Sequence, residues 1–367
     1  MVKAWTIKWI AVLLIVGWPT MVSAQEGTST GALADADSVD SGSEASVSAE
    51  AASENREDAL DASSEEEEKD SKGWGVNASA GVSLGMGAFV AAEYVRKVRS
   101  ALSIGFGGNY TIPVVDVDVS VSTGFNQNLA RGGGSQVPQE FRWSDSDLSL
   151  SRSIYVVPVA DINISGSLGF AIPTSTSSRA EGFYTSIQPG LSFSGNAGPV
   201  GLSYSIGFYR NFHESTTPLY DPNELDVIFR QDGAEYVSST QVAEGGYVNV
   251  AMGLTNNFNV SYKFLEDFNF GLGFGFGDTW TYDNGTITAD DEYTSSYAKP
   301  GRGHGQSMNG SLSLSYKPWK FLGFSASMSS GQPWKTDDNE GYRFPFFDFE
   351  SMASNRTKLR IGISGSY

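Results

Sequence analysis

The sequence contains no cysteine, which removes disulfide scaffolds, zinc ribbons, iron–sulfur clusters and thiolate catalysis together. Its two histidines leave little material for a histidine-rich metal site. Positive charge is scarce too: 24 Lys and Arg face 42 Asp and Glu, a formal net charge of −18. Such an excess repels phosphate backbones and argues against a nucleic-acid partner. Charged residues of both signs reach only 18% of 367 residues, while the chain holds 42 Gly and 46 aromatic residues. A chain rich in glycine and aromatics but poor in charge reads as an all-β protein that meets lipid.

The charge divides the chain into three. Residues 1–24 have the form of an export signal: Lys3 and Lys8, a short apolar core from Trp9 to Gly17, then Val22-Ser23-Ala24 as a small-residue cleavage site. Nine apolar residues are too few to cross about 30 Å of hydrocarbon as a helix. Residues 25–72 are rich in Ser, Ala and acid, with 15 acids, 3 bases and no aromatic residue. They cannot bury enough apolar surface to offset chain entropy, so a disordered, solvated linker is expected. Asp35, Asp37 and Asp40 are closely spaced but lack the pattern of a calcium loop. Residues 73–367 carry the remaining −8.

This third region has a period of two. Val76 to Tyr94 sets Val, Ala, Leu, Met and Tyr at even positions against mostly Asn, Ser and Gly at odd ones. Leu202, Tyr204, Ile206 and Phe208 oppose Ser203, Ser205, Gly207 and Tyr209, and Phe268 to Phe276 alternate with Asn269 and glycines. Leu312, Leu314 and Tyr316 oppose three serines. Each such segment is about 10 residues long, which suits a tilted strand crossing a bilayer. The polar face is Gly, Ser and Asn, where a soluble sandwich would show Lys, Glu and Thr. Small groups fit a crowded or water-filled interior, and the bulky face then meets lipid.

Short links are expected at 112–114, 158–161, 195–199, 265–267 and 317–319, with a further short one at 96–99. Longer polar loops alternate with the first five: 126–145, 173–182, 211–246, 278–305 and 331–355. Eleven connections join twelve strands of an antiparallel up-and-down transmembrane β-barrel, its two ends on the tight-turn side. No helix pattern is expected. Arg152 fits badly, since its parity matches Leu148, Leu150 and Ile154 on the lipid face. Either a bulge flips the register there, or Arg152 lies near an interface and snorkels.

Outside the signal, Trp74, Trp143, Trp280, Trp319 and Trp334 all fall near expected strand ends, where an indole suits the membrane interface. The chain closes on Leu359, Ile361, Ile363 and a terminal Tyr367 alternating with smaller or charged residues. That ending resembles the C-terminal recognition strand of Gram-negative outer-membrane β-barrel proteins, porin-like in architecture. The resemblance implies an outer-membrane location with lipid and lipopolysaccharide around the barrel. It also implies insertion by the barrel assembly machinery, while the export signal leaves a linker expected in the periplasm after cleavage near Ala24.

Twelve tilted strands enclose a backbone ring ~24 Å across. With a Gly, Ser and Asn wall, a passive porin-like channel for small hydrophilic solutes is the expected function; a plug formed by the first strand, a loop or the linker is the alternative state. Candidate lumen charges are Glu93, Asp116, Asp118, Lys263 and Arg360. Loop 211–246 carries seven acids and one Arg, a vestibule that either attracts cations or binds divalent ions at a lipopolysaccharide surface.

Other classes are less well supported. His213-Glu214-Ser215 resembles the His-x-Ser pair of outer-membrane phospholipase A, but that family's downstream Asn segment is absent, replaced by Thr216-Thr217-Pro218-Leu219-Tyr220, and parity turns His213 inward. His304 sits in an expected flexible loop without an acid in register. Gly271, Gly273, Gly275 and Gly277 are strand alternation, not a phosphate loop. No enzyme and no cofactor are therefore expected. An autotransporter would have only 48 acidic linker residues to export, and a structural or adhesin barrel is the remaining alternative.

Overall fold

The computed structural model describes residues 73–85, 100–129, 141–217 apart from 159, 248–284, 301–335, 341–342 and 357–367, together with four two-residue strands between 219 and 244. The signal, the linker, Glu93 and the link at 96–99 lie outside the described residues, as does much of the long loops.

The strands are β1 (Trp74–Gly85), β2 (Ser100–Ile112), β3 (Val117–Asn128), the three-residue β4 (Phe141–Trp143), β5 (Ser146–Val157) and β6 (Ile162–Ile172). After them come β7 (Phe183–Ala197), β8 (Val200–His213), β9 (Val250–Leu265), β10 (Phe268–Asp283), β11 (Arg302–Trp319), β12 (Leu322–Pro333) and β13 (Thr357–Ser366). Every long strand pairs antiparallel with its sequence neighbours, and β1 pairs with β13. The result is a closed twelve-strand barrel, with β4 as an extra strand on the upper part of β3.

Closure follows from the alternation. Gly, Ser and Asn on one face let neighbouring strands coil inward without crowding, while bulky side chains fan out on the other. The strands are strongly tilted. The hydrogen-bonded row that begins at Trp74, the first residue of β1, passes Tyr110, Val119 and Leu150 and reaches Leu168, well inside β6. No apolar core accompanies this ring: the only buried hydrophobic residues among those described are Ile162, Ala251 and Met308. The large apolar side chains stand in the open instead, among them Phe106 (46% exposed), Val121 (49%) and Ile361 (71%). A continuous exposed band of this kind is stable only when lipid covers it.

The tight turns lie at 113–116, 158–161, 198–199, 266–267 and 320–321, and three of them use a left-handed residue: Asp116 (φ 50), Asp161 (φ 52) and Gly198 (φ 65). Several boundaries differ from those expected. β11 runs through Lys317 and Pro318 to Trp319, because a register shift between Tyr316 and Trp319 leaves Pro318 where no ladder N–H is required. β7 continues to Ala197, and β10 and β11 extend into the expected loop 278–305 as far as Asp283 and from Arg302. Loop 173–182 forms one helical turn, α1 (Thr176–Ala180), where no helix was expected. Ser175 caps it by accepting from the Ser178 N–H (3.1 Å), and Asp145 accepts both the Ser175 N–H (2.9 Å) and the Ser178 hydroxyl. The turn is thus tied down by tertiary partners that a helical periodicity would not reveal.

Arg152 keeps the outward parity. A register shift does occur in β5, between Ser153 and Tyr155, but it lies on the tight-turn side of Arg152 and leaves it facing out, opposite Gly166.

Candidate functional site: the barrel lumen

The inward wall is built from short polar side chains that bond to one another rather than project. Ser120 and Ser149 hydroxyls meet at 2.7 Å and those of Ser165 and Ser192 at 2.6 Å, each pair bridging adjacent strands. Longer inward side chains lie along the wall, over glycines. The Tyr209 ring rests on Gly253, and the Asn257 and Asn309 side chains flank Gly275 from either side. A methyl group at any of these glycines would force its neighbour toward the axis. The alternation of Gly with Asn and Tyr therefore keeps the bore wide.

The charged wall residues fall into two levels. Near the tight-turn end are Asp118, which accepts from the Thr111 hydroxyl at 2.5 Å, and Lys263, opposite Asn269. Asp116 belongs to the turn before β3, not to the strand wall. Midway up, Arg360 faces in beside Ser83 and Ser327. Its guanidinium crosses Gly81, where an added Cβ would stand 2.9 Å from Nε, and its Nη2 reaches the Ser103 hydroxyl at 3.4 Å, two strands away. Glu93 lies outside the described residues.

Sequence reasoning missed three inward charges: Asp147 opposite Ser122, Lys358 opposite Gly85 and Ser329, and Arg142 opposite Asn126. Parity alone carried the signal, since Lys358 shares that of Arg360 and Asp147 that of Ser149 and Ser151. Their heights needed the register. From Arg360 the row passes Ser83 and Ala101 to Asn128, and Asp147 joins β3 six residues lower, at Ser122. With strands rising ~3.3 Å per residue at a tilt near 45°, Asp147 returns to within a few ångström of the Arg360 level. It stands four strands round the ring from Arg360.

The outer face shows two aromatic girdles. At the tight-turn end Trp74 meets Tyr367 (ring centroids 6.0 Å) and Trp319 stacks on Phe321 (6.3 Å). At the long-loop end Trp143 packs on Phe125 (4.2 Å), Trp280 stacks on His304 (5.2 Å) and Trp334 meets Phe276 (5.8 Å). Leu359, Ile361 and Ile363 share the outer face of β13, opposite Leu84, Val82 and Ala80.

Among the described residues neither histidine forms a hydrolytic constellation. Packed between the Phe183 and Tyr282 rings, His213 has a buried Nδ1 without a hydrogen-bond partner, while the Ser215 hydroxyl donates to the Thr217 carbonyl at 2.5 Å. His304 is not in a loop and does have an acid within reach, one pair away on the neighbouring strand: it lies in β11 on the outer face, its Nε2 3.0 Å from Asp278 Oδ1, which also accepts from Gln306 Nε2 at 2.9 Å. The reason is the extension of β10 and β11, which places His304 opposite Trp280. Among the described residues no group of three His, Asp or Glu converges on a metal position.

No sequence-family profile matches the chain, and no curated protein matches it in sequence. In structure it is similar to an outer-membrane channel from Pseudomonas putida F1, with TM-score 0.46 and 11% identity over 83% of this chain and 100% of the other. The NanC porin gives 0.42 and 9% over 79% and 98%. The translocator domain of the autotransporter NalP from Neisseria meningitidis gives 0.42 and 11% over 89% and 99%. Likenesses at these values say nothing of what this chain does. The architecture, a closed antiparallel ring with its apolar side outward, is that of outer-membrane β-barrel proteins.

Proposed function

We propose that the protein is an outer-membrane channel for passive passage of small hydrophilic solutes. The observation that carries this reading is the flattened lumen wall. Glycines receive the inward Tyr209, Asn257 and Asn309 side chains, so few groups narrow a backbone ring ~24 Å across. Asp147 on one wall and Lys358 with Arg360 on another, at similar depth, supply a transverse field. Such a field favours polar solutes over apolar ones. The acidic residues of 211–246 would concentrate cations at the long-loop mouth, an effect that weakens with salt.

The signal-like residues 1–24 and the acidic segment 25–72 favour tight turns and both chain ends in the periplasm, with lipopolysaccharide around the long-loop girdle. Assembly would proceed through the barrel assembly machinery acting on Leu359, Ile361, Ile363 and Tyr367. Planar-bilayer recording tests the reading. Discrete unit conductance with a cation-selective reversal potential under a salt gradient is expected. A refolded barrel with no conductance, with or without residues 25–72, would refute the channel and favour a structural or adhesin barrel.

A further inference from the structure

An ionisable group on a lipid-facing wall needs a partner, and two of those at the long-loop end have one. Asp278 holds His304 and Gln306. Arg210 lies over the Phe212 and Tyr282 rings (5.9 and 5.3 Å) and donates to the Ala251 carbonyl at 3.4 Å. Arg152 is different. It is exposed on the outer face opposite Gly166, which bears no side chain to screen it, and it has no hydrogen-bond or ion-pair partner among the described residues.

Its depth says what it can meet. The hydrogen-bonded row from Trp74 passes Tyr110 and Val119 to Leu150, and Arg152 lies two residues nearer the tight-turn end. At ~3.3 Å per residue and a tilt near 45°, this puts Arg152 about 5 Å above the Trp74 girdle. From there an extended arginine reaches the headgroup level of the adjacent leaflet. Around it Leu150, Ile154 and Leu191 form apolar surface, with Ile154 (62% exposed) pushed out by the bulge between Ser153 and Tyr155.

A second copy of the barrel offers no acid on its described outer wall at this height; its acids at the tight-turn end, Asp161, Glu266 and Asp267, lie in turns. Copies inserted the same way share every height, so a neighbour's Asp278 stands about 20 Å above Arg152. We propose that Arg152 binds the phosphate of a phospholipid in the leaflet on the tight-turn side, with an acyl chain against Ile154 and Leu191. The guanidinium fork matches a phosphate with two parallel hydrogen bonds. This site rests on insertion of the barrel in a bilayer, not on conduction through it.

The test uses the full-length chain refolded into vesicles of dioleoylphosphatidylglycerol and dioleoylphosphatidylethanolamine, then extracted in mild detergent for native mass spectrometry. The wild type should retain a bound phospholipid, and Arg152→Gln should lower the lipid-bound fraction about fivefold. Arg152→Lys should keep part of it, and vesicles of digalactosyldiacylglycerol, a bilayer-forming lipid without phosphate, should leave no lipid bound. Arg152→Leu, apolar and compatible with the wall, serves if the glutamine variant inserts poorly. Equal retention by wild type and variant overturns the proposal. So does a variant that dissociates an oligomer with its lipid retention unchanged, since Arg152 would then contact a turn acid of a neighbouring copy. Heat-modifiable gel mobility, read on each variant, reports insertion separately.

Discussion

Tyr367, the last residue, exchanges both backbone hydrogen bonds with Val76: Val76 N–H to the Tyr367 carbonyl and Tyr367 N–H to the Val76 carbonyl, each at 3.0 Å. The end of the chain is therefore the final rung of the seam that closes the ring, and its ring also packs against Trp74.

Deleting Tyr367 should reduce assembly. Two hydrogen bonds and the Trp74 contact disappear at the one place where first and last strands must find each other. The folded fraction, read as heat-modifiable mobility in outer-membrane preparations, should fall, with protein accumulating in the periplasm. Unchanged yield would show that Leu359, Ile361 and Ile363 suffice.

Selectivity should move in opposite directions from the two lumen walls. Arg360→Ser with Lys358→Ser should raise cation selectivity in a salt gradient, and Asp147→Asn should lower it. Asp116→Asn with Asp118→Asn should also reduce cation selectivity, but by less, because Asp116 sits in a turn and Asp118 beside the tight-turn rim. Gly81→Val should reduce conductance without changing charge, since its side chain displaces the Arg360 guanidinium toward the axis. Identical reversal potentials across this set would sink the transverse field.

A pair of lysine substitutions distinguishes the two faces. Leu312 lies between Leu272 and Met328 on the outer wall near mid-depth, while Ser311 lies between Gly273 and Ser329 on the inner one. Leu312→Lys should cost about 2–4 kcal/mol in denaturant unfolding from vesicles. Ser311→Lys should cost well under that and narrow the pore instead.

Asp278→Ala should destabilise the barrel by about 1 kcal/mol, because Gln306 and His304 lose their shared acceptor. Urea unfolding in vesicles measures it, and the double change with Gln306→Leu should recover part of the loss.

Deleting residues 25–72 discriminates an open barrel from one blocked by its linker. Unit conductance should be the same with and without the segment. Conductance seen only in the shortened chain would assign the acidic linker to the lumen.

Alternation determined the class of fold and which face is bulky, because side chains of a strand point to opposite sides every second residue, and the count of turns and loops between the alternating segments gave the strand number. Turn residues located five of the tight turns to within a few residues. The limits came where local chemistry is overruled by a partner strand. Pro318 reads as a turn, yet a bulge absorbs it; His304 reads as loop, yet pairing with β10 holds it opposite Trp280. Height was beyond sequence altogether. Whether Asp147 shares the level of Arg360, or Arg152 lies near an interface and not mid-membrane, depends on the slope of the rows around the ring. That slope is a property of all twelve registers together, set only when β13 closes on β1.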